Sequence, residues 1–399
     1  MQRKLVRPRP NRFRRHWELR PGIVFLNHGS FGACPKPILD WQMQFRRAFE
    51  AEPVQFLWRH YEAHLVPARR ALAQFLGANT ADLVFLPNAT AGVNAVVRSL
   101  RLRRGDELLT TSLDYNACRN VLVAAAQRAG AKVMVVPVPF PLESAEQIIT
   151  PILRAVTRRT RLLLLDHVTS NTGLILPVNE VVQVLAARGV DTLVDGAHAP
   201  GMLPLNLRRL RPAYYTANLH KWVCAPKGAA FLYVRPDRQE QIQPPVISHG
   251  NNRRRPGFTR FQDRFDWPGT FDPSPWWCVP EALRWMGQLL PGGWPELRRR
   301  NHELAVQARR ILCAHWHVAP PGPEAMLGSM AAVPLPERFQ GRRSRGKIDE
   351  LQLALYDRFG IEVPVNCFGE PQRRWVRVSA QIYNSPADYE YLAAALEQL

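Results

Sequence analysis

The chain holds only six lysines, Lys4, Lys36, Lys132, Lys221, Lys227 and Lys347, among 53 basic residues. Arginine supplies nearly all the positive charge, so a lysine between strand-like runs asks for an explanation. Lys221 stands in Asn218-Leu219-His220-Lys221-Trp222, directly after an apolar run. A guanidinium is no nucleophile at neutral pH, whereas a lysine amine can lose its proton and condense with a carbonyl. Upstream, another apolar run ends in Asp195 and continues as Gly196-Ala197-His198. A carboxylate at the carboxyl end of a sheet strand sits where open α/β sheets bind ligands. Each feature alone is more often structural. Together they suggest a cofactor whose aldehyde meets Lys221 and whose ring nitrogen meets Asp195.

Phe85-Leu86-Pro87-Asn88-Ala89-Thr90-Ala91-Gly92 adds a third part. A strand ends there and a helix begins, and first-turn amides with the Thr90 hydroxyl form an anion site suited to a phosphate. Helix capping by Asn88 or Thr90 explains the same residues and is compatible with that role.

The elements around these residues follow from hydrophobic patterning. Strands are predicted at 83–86, 107–111, 133–138, 161–166, 192–195, 214–217 and 229–234, with helices at 89–102, 116–129, 143–155 and 179–187. Continuous apolar runs such as LLLLD suit strands buried on both faces, and the alternation predicts an α/β domain with a mostly parallel sheet. Residues 241–275 are rich in Pro, Gly, Asn and Arg and read as a long loop. Beyond it, helices near 278–290, 297–315 and 386–397 and strands near 329–334, 361–365 and 374–380 suggest a smaller α+β domain. The expected organisation is a basic N-terminal segment 1–22, a large domain 23–255 and a loop plus small domain 256–399.

Composition narrows the function classes. With 46% hydrophobic and 22% charged residues the chain is globular, and it has no apolar run long enough for a membrane span. The first 20 residues lack the apolar stretch of a secretory signal and read as a frayed basic tail. The net charge of +20 would attract polyanions, yet the arginines are dispersed, and clusters such as Arg342–Arg345 read as solvated loops, not as a specific nucleic-acid site. The six cysteines show no paired or metal-ligand spacing, which fits reduced thiols in a cytoplasmic protein. His60 and His64 are four apart but have no third ligand, so no metal is expected.

The motifs NATAGVN, DHVTSNTG, VDGAHAPG, NLHKWVCAPKG and WPGTFDPSP, in this order, resemble those of class V aminotransferase-fold proteins of the isopenicillin N epimerase-like group. The likeness runs from Phe25 to Asn384. It implies the fold type I architecture of pyridoxal 5'-phosphate enzymes, a three-layer α/β/α large domain with a smaller α+β C-terminal domain. It also implies that Lys221 carries the cofactor covalently and that Asp195 pairs with the ring nitrogen. His198 would lie beside the ring oxygen and Tyr115 would stack on the ring. The Ala89 and Thr90 amides, Asn218 and His220 would hold the phosphate. Ser170 would lie near the phenolic oxygen; many relatives carry asparagine there, and Asn171 is the alternative. Thr270 would reach the phosphate of a second subunit's cofactor, implying a homodimer. Arg377 would take the carboxylate of a small amino-acid substrate, with Asn27 and His28 nearby.

The chemistry implied is removal of the α-proton of an amino acid with Lys221 as base, leading to epimerisation or transamination. A cysteine desulfurase or C–S lyase on the same fold is the alternative, with Cys367 as a candidate nucleophile; most free cysteines are simply apolar fillers. An alternative of another class is a non-catalytic binding protein with a basic surface.

Overall fold

A computed structural model describes residues 5–341 and 348–399, so the Arg342–Arg345 cluster lies outside the described residues. From residue 11 onward the N-terminal segment is docked, not frayed. Asn11 caps a short turn, Arg12–His16, and its amide donates to the carbonyls of Ile382 and Asn384. Phe13 and Trp17 are buried beside Tyr383 and Ile382. These aromatic side chains bury enough apolar area to hold a basic segment in place.

Strand β1 (Val24–Phe25) is followed by helices Lys36–Ala51 and Tyr61–Leu76. The central sheet then takes β2 (Leu83–Leu86), β3 (Glu107–Thr111), β4 (Lys132–Val136), β5 (Thr160–Asp166), β6 (Asp191–Asp195), β7 (Tyr214–Asn218) and β8 (Ala230–Val234). Its order is β2-β8-β7-β6-β5-β3-β4, with β4, β3, β5, β6 and β7 parallel and β8 antiparallel to both neighbours. Helices Ala89–Ser99, Asn116–Ala129, Glu146–Ala155 and Val178–Ala187 make the connections. The LLLLD run divides between faces: Leu163 and Leu165 join one core cluster, Leu162 and Leu164 the other. A strand covered on both sides has no polar face, which is why its sequence does not alternate.

The C-terminal part opens with helices Val279–Gln288 and Gly293–Trp316. Strands β9 (Met330–Pro334), β10 (Ile361–Glu362), β11 (Val365–Phe368) and β12 (Arg373–Ser379) precede the last helix, Pro386–Glu397. The small sheet is antiparallel in the order β11-β12-β9, while β10 pairs in parallel with β1. A helix at Glu350–Phe359 went unread in the sequence.

Two features cut across the expected boundary after residue 255. β1 belongs with the C-terminal part through β10. The stretch read as a long loop contains the helix Arg260–Phe265, started by a Thr259–Gln262 capping box, and Phe261 and Phe265 pack into the core beside β2. A buried ion cluster fixes it there: Arg255 reaches Asp263 at 2.9 Å and Asp266 at 2.7 Å, and Arg69 pairs with Asp266. No helix among the described residues is long and apolar enough to cross a membrane.

Candidate active site

In-register parallel strands bring their last residues level, so Asp166 of β5 stands beside Asp195 of β6, and Asn218 ends β7 next door. These ends floor a cavity of about 320 Å³ whose walls include Ser30, Thr90, Tyr115, Ser170, His198, His220 and Lys221. The N-terminal loop closes on the lysine loop at Gly32, with φ of +70°; a Cβ there would lie 2.0 Å from the His220 carbonyl oxygen. Only glycine meets both conditions.

Lys221 Nζ lies 3.1 Å from His198 Nε2, and the Trp222 indole N–H points at His198 Nδ1 at 3.4 Å. An indole only donates, so Nδ1 is the acceptor nitrogen and the proton of the neutral ring sits on Nε2. Burial pushes the His198 imidazolium well below the ordinary range, so the ring is neutral. An Nε2–H facing Nζ requires a lone pair on the lysine. Burial, aided by the charge of Arg377, lowers Lys221 to about 8, in the same direction. The lysine is set up as an amine.

Asp195 is 4% exposed and accepts from the Ala197 amide at 2.9 Å and from Cys118 Sγ at 3.2 Å. Burial raises its carboxyl, and these two donors pull the other way. At the opposite end, Asn218 Oδ1 accepts the Ala89 amide at 2.9 Å, and Asn88 caps Ala91. The Ala89 amide is therefore engaged within the chain, and the first turn offers Thr90 instead. His220 Nδ1 is buried with no hydrogen-bond partner among the described residues. Helix Ala89–Ser99 approaches β7 closely enough that a Cβ on Gly92 would lie 2.0 Å from Thr216 Oγ1.

Arg377 on β12 is 3% exposed and has no carboxylate within 4 Å among the described residues. Its Nη1 donates to the Ser170 carbonyl at 2.8 Å, and Nη2 to Asn27 Oδ1 and Ser30 Oγ, both at 2.9 Å. Nε has no partner. Burial lowers this guanidinium to about 10. A buried cation held only by neutral acceptors is poised for an anion.

The other expected site residues separate. Tyr115 and Ser170 line the cavity. Asn27 lies behind Arg377, tied to Glu362 at 3.0 Å, and orients it. His28 points away: it is fully buried, its nitrogens engaged by Tyr383 Oη at 2.8 Å and the Lys221 carbonyl at 2.9 Å. Thr270 is exposed on its loop and lies outside the chain's own cavity. Asn171 lines a neighbouring cleft with Phe140 and Phe368. His64 is half-buried and packs against Phe45, Phe56 and Trp277.

An amine-forming lysine, a buried carboxylate and a helix start on one cavity agree with the aminotransferase class-V pattern, which matches residues 34–392. The chain belongs to the class-V aminotransferase family. Isopenicillin N epimerase of Streptomyces clavuligerus is 36% identical over 395 residues, covering 96% of each chain. L-cysteine desulfhydrase of Arabidopsis thaliana is 28% identical, covering 95% of this chain and 88% of the relative. The solved cystine C–S lyase C-DES, in complex with cysteine persulfide, superposes with a TM-score of 0.80 at 22% identity, over 94% of this chain and 97% of that one. The family cofactor is pyridoxal 5'-phosphate, and the site fits it. Lys221 would supply the amine, Asp195 an anion for the ring nitrogen, and Thr90 with His220 donors for the phosphate.

Sequence reasoning missed three residues. Ser30 contacts Arg377 from the far end of the chain, and nothing local marks it. Trp222 adjoins Lys221, but its sequence position gives no sign that its indole reaches His198. Asp166 ends the clearest strand in the sequence, the same signal that identified Asp195.

Proposed function

We propose that this class-V enzyme removes the α-proton of an amino acid and returns it with inversion, as an epimerase. The bound cofactor supplies an electron sink for the charge left on the α-carbon. Arg377 holds the substrate carboxylate, with Asn27, Ser30 and the Ser170 carbonyl keeping the guanidinium aligned. Lys221 takes the proton as an amine, the form that His198 and Trp222 favour. Asp195 stays anionic toward the ring nitrogen, helped by the Ala197 amide and the Cys118 thiol. The observation that carries the reading is the Lys221–His198 pair inside a cavity that also contains Asp195.

The second reading is C–S bond cleavage, supported by the likeness to L-cysteine desulfhydrase. A persulfide-forming cysteine has less support, since no cysteine lines the cavity and Cys367 is exposed. Thr270, exposed on its loop, is proposed to complete the site of a second copy in a homodimer.

The test incubates the loaded enzyme with amino acids and their derivatives in heavy water. Deuterium at the α-carbon with loss of stereochemical purity supports epimerisation. Keto acid without sulfide indicates transamination, and sulfide with pyruvate from cysteine indicates the lyase. Lys221→Ala should remove the covalent link, so that borohydride reduction no longer fixes the cofactor to the chain.

A further inference from the structure

Asp166 takes no part in proton transfer or carboxylate binding, yet it is among the most buried carboxyls of the described residues. It is 3% exposed, it lines the cofactor cavity, and its Oδ1 has no hydrogen-bond partner among the described residues. Its strand neighbour in register is Asp195. Two buried carboxyls side by side do not both ionise unless a cation lies between or beside them.

The surrounding groups decide which of the two keeps the proton. Asp195 receives the Ala197 amide and the Cys118 thiol, both of which favour its anion. Asp166 receives one backbone hydrogen bond, from Tyr115. The other charges facing it are Asp114, in the loop after β3, which opposes ionisation, and Lys221, which favours it when charged. Asp114 is itself paired with Arg119 and bonded to Thr110, and is not available as a donor. His198 and Arg377 lie beyond Lys221 and act on that lysine directly. Burial, followed by the charge of Asp195, raises the Asp166 carboxyl well above the ordinary range. With Lys221 in its amine form, Asp166 is the neutral acid and Asp195 the anion.

We propose that Asp166 is a second carboxylate partner for the positively charged cofactor ring, protonated until that ring docks and ionised once it has. Loading places a cation against Asp195, and the same cation lies beside Asp166. The O–H bond of Asp166 then breaks, its proton leaves to solvent, and the bonding pair stays on the carboxylate. No redox partner or co-reactant is needed. Two carboxylates facing one cation hold the ring nitrogen protonated more firmly than one. A neutral Asp166 in the unloaded state also spares the protein two adjacent buried anions.

The inference rests on pyridoxal phosphate occupying this cavity, and the test separates the two ideas. Pyridoxal phosphate is titrated into the unloaded protein by calorimetry in buffers of different ionisation enthalpy, which counts protons released on binding. Asp166→Asn should release about one proton fewer than wild type and bind the cofactor roughly tenfold more weakly. Its unloaded melting temperature should be close to that of wild type, because an amide is neutral and isosteric with the protonated acid. An independent readout needs only wild type. Infrared difference spectra with isotope-labelled aspartate should show a protonated carboxyl band that disappears on loading. Equal proton release by wild type and Asp166→Asn, or no carboxyl band lost, overturns the inference while leaving the cofactor reading intact. A variant that melts earlier when unloaded marks a structural role and also overturns it. Wild type that takes up no pyridoxal phosphate overturns the cofactor reading, and this inference with it.

Discussion

His198 Nε2 stands 3.1 Å from Lys221 Nζ while its Nδ1 faces the Trp222 indole at 3.4 Å. The indole fixes the tautomer of the imidazole, and the imidazole fixes the protonation state of the amine. Lys221 titrates near 8, below the ordinary lysine value of 10.5. Cofactor capture should therefore quicken as pH rises through about 8 and level off above it. Between these values the unfolded chain holds a proton that the folded one lacks, so this group makes the unloaded protein more stable as pH rises. Trp222→Phe should move the capture profile upward in pH and slow capture at neutral pH about threefold to tenfold, read by stopped-flow absorbance.

Arg377 binds through the direction of its N–H groups as well as its charge. Arg377→Lys keeps the charge but loses the planar fork that Asn27, Ser30 and the Ser170 carbonyl align. KM for the amino acid should rise about 10–100-fold with cofactor affinity unchanged, as steady-state kinetics and absorbance titration would show.

Cys367 is exposed on β11, its sulfur 3.9 Å from Gln372 Oε1, and lies outside the cavity lining. Cys367→Ser should leave turnover within about twofold for any substrate, sulfur-containing ones included. A loss of sulfide release specific to cysteine would instead establish the persulfide route.

Asp266 joins Arg69 and Arg255 in a mostly buried cluster on the segment leading to Thr270. Asp266→Asn leaves Arg69 without a carboxylate while Arg255 keeps Asp263, and should cost about 3–5 kcal/mol of stability, measured by urea unfolding. The cofactor band should persist at low denaturant, because the cluster is outside the cofactor cavity.

Much of the large domain was legible because its elements are locally encoded. The strand ending in Asp166 and the helix at Asn116–Ala129 declare themselves through apolar runs or small-residue turns, as does Pro386–Glu397 in the C-terminal part through its cap. The helix Arg260–Phe265 was hidden inside a Pro- and Arg-rich stretch, since six residues are too few for a helical period to stand out. Glu350–Phe359 escaped for a related reason, a short helix with a mixed apolar face.

Sequence alone determined the chemistry offered: a lysine where arginine would otherwise serve, an aspartate closing an apolar strand, and a small-residue turn opening a helix. Such features are written in residue type and spacing. Tertiary structure decided who meets whom. It set Asn27 and Ser30 on Arg377 across some 350 residues of chain, and turned His28 toward the back of the lysine loop. It also placed Asp166 beside Asp195, because strand register and order depend on how two apolar faces are buried together, a property no single segment contains.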